Sequence, residues 1–173
     1  MRNSALGLVM LVVLGCTASY QVNNLSGAAA QVKLDPSKGV YISVPEDGSY
    51  ESKKYGGSGQ IVAGAVAVAF GKKAASIHVA TKNQPLDSVL AAARQLGVGY
   101  VVVPAITAWE QRSTEWSGKP SRMTIRLEIL EATSGKQLLA SSIEGRSRIM
   151  SFTSTSPESL LKDPLAEYVN SIY

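Results

Sequence analysis

Hydrophobic and polar positions along the chain change their period several times, and each change marks an element. Ala5 to Leu14 is an unbroken apolar run, well short of the roughly 20 residues a membrane-spanning helix needs. Thr17 to Lys38 has few large apolar residues and reads as polar chain, ended by the turn signal Asp35-Pro36-Ser37-Lys38-Gly39. Val40 to Val44 is a short β-branched run, a first strand closed by Pro45 and Asp47-Gly48. Gln60 to Phe70 alternates valine with alanine, as a strand does. Its alanine content, Ser58 ahead of it and Gly71 behind it suit a helix, and the spacing is read as a small-faced helix packed on a sheet. Ser76 to Thr81 predicts a second strand.

The clearest helical period follows. Leu86, Val89, Leu90, Ala93 and Leu96 fall on one face, with Pro85 at the start, Asp87 near the positive end of the dipole and Gly97 at the close. Tyr100 to Val103 predicts a buried strand continuing towards Trp109, with Pro104 at an edge or a bulge because it has no N–H to donate. From Arg122 to Glu131 the alternation is strict: Met123, Ile125, Leu127 and Ile129 point one way, Thr124, Arg126 and Glu128 the other. Thr133-Ser134-Gly135-Lys136 turns the chain, and Gln137 to Arg148 returns as the hairpin partner. Ser156-Pro157 and Asp163-Pro164 each start a helical segment, predicting a kinked helix or two short ones ending near Ile172. The order β-α-β-α-β-β-β-α defines an α/β (α+β-like) fold: a mixed sheet of about five strands, its early strands parallel through crossover helices, its hairpin antiparallel.

Composition refines this picture at the amino end. Arg2, the apolar run and Leu14-Gly15-Cys16 have the layout of a secretory signal peptide. Cys16 is the one cysteine of the 173-residue chain, so no internal disulfide forms. A lone cysteine directly after Leu-Gly is similar to a bacterial lipobox, with Cys16 as the lipidated first residue of the mature chain. The other reading is an ordinary signal peptide cut nearby, leaving a free thiol. On the lipobox reading residues 1–15 are the leader, 16–38 a flexible lipidated tether, and 39–173 a single periplasmic domain. Thr17 in place of an aspartate favours the outer membrane. Several acyl chains hold far more firmly than one, each buried methylene contributing about 0.8 kcal/mol. A net charge of +4 without a dense Lys/Arg cluster argues against a nucleic-acid partner.

Candidate chemistry is sparse. His78, the one histidine, has no second histidine or cysteine beside it to complete a metal site, and no Gly-x-Ser-x-Gly elbow accompanies it. No catalytic residue, cofactor or metal is expected, and the chain is read as a non-enzyme. Gly56-Gly57-Ser58-Gly59 before a helix is a candidate ligand-binding loop, with Gly57, Ser58 and Gly59 offering free N–H groups to an anion; a flexible loop with a capping serine is the plainer reading. The stretch Trp109 to Pro120 holds both tryptophans, and Trp109, Glu110, Arg112, Glu115 and Trp116 form the candidate partner-binding surface. Tryptophan is enriched at binding hot spots and is costly to expose. The competing reading folds one or both rings back over the sheet edge.

Cys16, Gly39 to Pro45, the run Trp109 through Glu115-Trp116-Ser117-Gly118 to Pro120, and the ending Pro164 to Val169 together resemble a family of bacterial lipoproteins catalogued as a domain of unknown function. The resemblance spans nearly the whole mature chain and implies a lipoprotein with no assigned reaction. The strand–helix order also looks like the amino-terminal domain of TolB, a fold analogy implying an envelope docking module. The pore-forming curli secretion lipoprotein looks like a distant variant, but Trp109 to Pro120 is too short and too charged to serve as its membrane-crossing hairpins. The expected function is a lipid-anchored docking or accessory module for a periplasmic or outer-membrane protein or a cell-wall component. A sensor of small ligands or cell-wall glycans is the alternative.

Overall fold

The structure is a computed structural model and describes residues 19–25, 32–110, 121–147 and 157–173. Six strands form one mixed sheet in the order β1-β8-β7-β6-β2-β5: β1 (Ser19–Asn24), β2 (Val40–Ile42), β5 (Ile77–Val79), β6 (Tyr100–Glu110), β7 (Arg122–Glu131) and β8 (Gln137–Arg146). Two short strands, β3 (Ser49–Tyr50) and β4 (Lys53–Lys54), pair in a separate hairpin. The helices are α1 (Ser58–Phe70), α2 (Leu86–Gln95) and α3 (Lys162–Ile172), the last preceded by a 3-10 turn at Pro157–Leu161. The mixed architecture and, apart from the β3–β4 hairpin, the element order from β2 onward are those the periodicity predicts.

β2 lies parallel to both β5 and β6, as crossovers through α1 and α2 require. Right-handed crossovers, from β2 to β5 through α1 and back from β5 to β6 through α2, run in opposite directions and place α1 and α2 on opposite faces. α1 shares its face with α3. Under them lie Met123, Ile125, Leu127, Ile129 and Ile143, all fully buried. Phe70 meets Tyr173 edge-on at 6.2 Å between ring centroids, which ties the end of α1 to the chain terminus. α2 buries Val89, Leu90 and Ala93, whereas Leu86 and Leu96, read as part of the same face, are exposed because the helix ends overhang the sheet. On the open side of β7 and β8 the polar set survives as ion pairs: Arg122 with Glu144 at 2.7 Å and Arg126 with Glu128 at 2.7 Å. Burial pushes the Glu144 carboxyl up, but Arg146 and Arg122 outweigh it and hold it below the usual range.

Of the stretch 16–38, read as a flexible tether, the described residues 19–25 and 32–38 are part of the fold. Ser19–Asn24 pairs antiparallel with β8, from Ser19 opposite Arg146 to Asn24 opposite Ser141. Leu34 is buried, its N–H donates to Ile172 O at 2.7 Å, and the Asp35 N–H donates to Tyr100 Oη at 2.9 Å. A run poor in large apolar residues is held because β8 offers a row of main-chain partners, which no side-chain period reveals.

Candidate functional site

β6 is eleven residues long and its neighbour β2 only three. The Tyr100 N–H donates to Gly39 O, and Ser43 N–H donates to Val102 O at 3.0 Å; there the partnership ends. Strand alternation then points the main-chain groups of Pro104 and Ile106 to the side that β2 has left. Pro104 therefore sits where its missing N–H has nothing to pair with, the edge position expected for it. The register slips between Ile106 and Ala108, a bulge that twists the rest of the strand.

Beyond β2 the chain veers away through Pro45, leaving a groove of about 470 Å³ between Ser43–Ser49 and Val103–Trp109, closed on one side by Asn83 and Gln84. The Asn83 side-chain amide donates to Val44 O at 2.9 Å and holds that wall. Trp109 forms the far end. Its ring is 4 % exposed and packs at 5.9 Å on Tyr55, and Lys53 Nζ stands 4.8 Å over the Tyr55 ring. Gly48 lies so close that a Cβ there would come 2.9 Å from Trp109 Cβ. Trp109 is thus a core residue, and its reading as an exposed partner-binding residue is corrected: its pairing with Met123 turns it to the face that carries α1 and α3. Its buried Nε1–H has no hydrogen-bond partner among the described residues, an uncompensated donor of the kind that costs about 1–3 kcal/mol. Glu110 is half-buried at the end of β6, in register with Arg122. Arg112, Glu115 and Trp116 lie outside the described residues.

The glycine-rich loop has a different occupant from the one expected. Asp47 reaches the start of α1, where its carboxylate accepts the Gly57 N–H at 3.1 Å and the Gly59 N–H at 2.8 Å. Ser58 does not cap its own helix. It is buried, and its Oγ accepts the Gly48 N–H at 2.8 Å. The Gly57 and Gly59 N–H groups read as part of an anion site are therefore engaged by the chain's own carboxylate, and the Ser58 N–H donates to Tyr55 O at 3.1 Å, which the residues next to the loop do not disclose. The Gly59 N–H foremost, with the Gly57 N–H and the Ser58 hydroxyl, holds the Asp47 carboxyl below the usual range. Its contribution to stability is complete above the unfolded carboxylate pKa of about 3.9 and is lost as pH falls through the lower folded value. Thermal melts of the wild type and of Asp47→Asn should therefore differ at neutral pH and converge as the pH falls through the lowered folded value. Curves separated equally at every pH would remove Asp47 as the cap.

His78 lies half-buried in β5. Among the described residues no group of His, Cys, Asp and Glu is placed to hold a metal, and no helix is long and apolar enough to cross a membrane.

The chain belongs to the family described as DUF4823, a domain of unknown function, whose model matches residues 32–172. No curated protein matches the sequence significantly. Among solved structures it is similar to PelC from Paraburkholderia phytofirmans, crystallised as a dodecamer. One form has a TM-score of 0.65 at 11 % identity over 90 % of this chain and 98 % of that one. A second form gives 0.62 at 16 % identity over 86 % and 96 %. A DUF330 protein from Xanthomonas campestris follows at 0.51 and 12 % identity over 80 % and 88 %. These likenesses show a shared fold.

Proposed function

We propose that this protein is a lipid-anchored, non-enzymatic docking module of the bacterial envelope, and that the open side of β6 is its docking site. The observation that carries the reading is the groove beside Pro104 and Ile106, where a central strand has lost its neighbour but keeps its main-chain groups. An extended peptide segment fits this arrangement: it pairs with the strand edge through its backbone and seats alternate side chains against Val44, Pro45 and Ile106. Trp109, buried at the end of the groove, limits the size of the side chain that fits there.

Cys16 supplies the anchor on this reading. Three residues from Cys16 to Ser19 span at most about 10 Å, so the first residue of β1 is held close to the lipid surface. The same end of the sheet carries Glu110, Arg122 and Arg146. Attachment to the outer membrane, facing the periplasm, completes the proposal. Cys16→Ser should abolish incorporation of labelled palmitate and release the protein from the membrane fraction; full membrane retention without label would remove the anchor.

The groove is tested in vitro by selecting binders from a displayed library of random unstructured peptides. Selected peptides should bind the wild type and lose at least tenfold in affinity on Ala105→Glu, which places a charge at an exposed groove residue. Peptides indifferent to Ala105→Glu, or no selected peptides, would count against the site.

A further inference from the structure

The main sheet has two outer strands, and both have a bare side among the described residues. β1 bonds β8 through the alternate residues that include Leu25, whose N–H donates to Ala140 O at 2.8 Å. The main-chain groups of Tyr20 and Val22 therefore point away from the sheet. At the opposite edge Ser76 O accepts from Val40 N–H, and the Ala80 N–H donates to Ile42 O. The main-chain groups of Ile77 and Val79 in β5 point outward in turn. Edge strands are ordinarily protected from pairing by lysine, proline or a bulge. Ser19–Asn24 and Ile77–Val79 contain no lysine or proline, and their pairing registers run without a slip.

The two edges also match in side-chain direction and in charge. Tyr20 bonds the Glu167 carboxylate of α3, so Tyr20 and Val22 lie on the face that carries α1 and α3. They are 42 % and 37 % exposed. Ile77 reaches towards Gly71 at the end of α1, so Ile77 and Val79 lie on that same face. Adding β1 of one molecule to β5 of another would therefore continue the sheet with α1 and α3 of both on one side. A mismatch of faces would have forbidden it. With both molecules oriented alike, the new pair is antiparallel. Asp163 and Glu167 stand beside Tyr20 at one edge. The chain between Phe70 and Leu86, around β5, carries Lys72, Lys73 and Lys82 and no acid.

We infer that this protein assembles with copies of itself head to tail, the β1 edge of one molecule adding antiparallel to the β5 edge of the next. The contact is heterologous, so each copy keeps one edge free to recruit another until the assembly closes. This goes beyond the docking reading and does not depend on it, because the β6 groove takes no part in either edge.

Prolines at outward-facing positions test it with little damage to the fold, since no intramolecular hydrogen bond of the sheet uses those N–H groups. The full chain in detergent is examined by light scattering after size exclusion, as wild type, Val22→Pro and Val79→Pro, with circular dichroism melts on each. The wild type is expected as an assembly, and each variant as a folded monomer with a near-unchanged melt. Mixed in equal amounts, the variants should form a dimer and stop there, because Val22→Pro retains the β5 edge and Val79→Pro the β1 edge. A monomeric wild type, variants that assemble as the wild type does, or a mixture that stays monomeric would each overturn the inference.

Discussion

Replacing Trp109 by alanine should cost about 3–5 kcal/mol, the range for emptying a buried aromatic site, and lower the melting temperature by roughly 10 °C. The ring is almost fully buried against Tyr55, and a Cβ at Gly48 would come 2.9 Å from the Trp109 Cβ. The hairpin of β3 and β4 would lose the surface it rests on. Trp109→Phe should cost much less, since it keeps most of the volume and removes a donor that has no partner among the described residues. Chemical denaturation of the two variants measures the difference. A mild effect of Trp109→Ala on stability would place the ring at the surface after all.

The second large effect is at Gly59, and it has a neighbour of opposite sign. A Cβ at Gly59 would come 2.3 Å from Pro45 O and 3.3 Å from Asp47 Oδ1. The first contact is with backbone, so the start of α1 must move and the Asp47 cap must loosen. Gly59→Ala should destabilise by about 1–3 kcal/mol, towards the upper figure because a carbonyl cannot rotate aside. Gly64, one and a half turns on, has nothing within 4 Å of a Cβ. Gly64→Ala should stabilise by about 0.5–1 kcal/mol through helix propensity alone. Urea titrations of both variants should therefore give midpoints on either side of the wild type.

These two residues also indicate where the sequence was legible and where it was not. The alternation from Arg122 to Glu131 and the helical period from Leu86 to Leu96 identified their elements because a buried face imposes its own spacing. The reading of Gln60–Phe70 as a helix held because Val62, Ala63, Val66, Ala69 and Phe70 fall on one buried side, despite the strand-like alternation. Pro104 disclosed an edge inside a long strand because its missing donor excludes a paired position. Long-range main-chain pairing was invisible. Ser19–Asn24 carries no strong strand signal and is held by β8, while Asp47 reaches the glycine loop from ten residues away. Trp109 was read by residue type, and its orientation depended on the bulge after Ile106, which no periodicity announces. The groove beside β6 exists because β2 is short, a property of two strands together.

The docking reading is tested most directly in the living cell. A photo-reactive amino acid replaces Ala105 in the groove, and, in a second variant, Ser134 in the distant β7–β8 turn. Irradiation of intact cells should yield one discrete adduct from position 105 only. Mass spectrometry should place the crosslink in an extended segment of an envelope protein, and Trp109→Phe should weaken it. Folded, membrane-bound protein that gives no adduct from position 105, or the same adducts from both positions, would contradict a docking role for this groove.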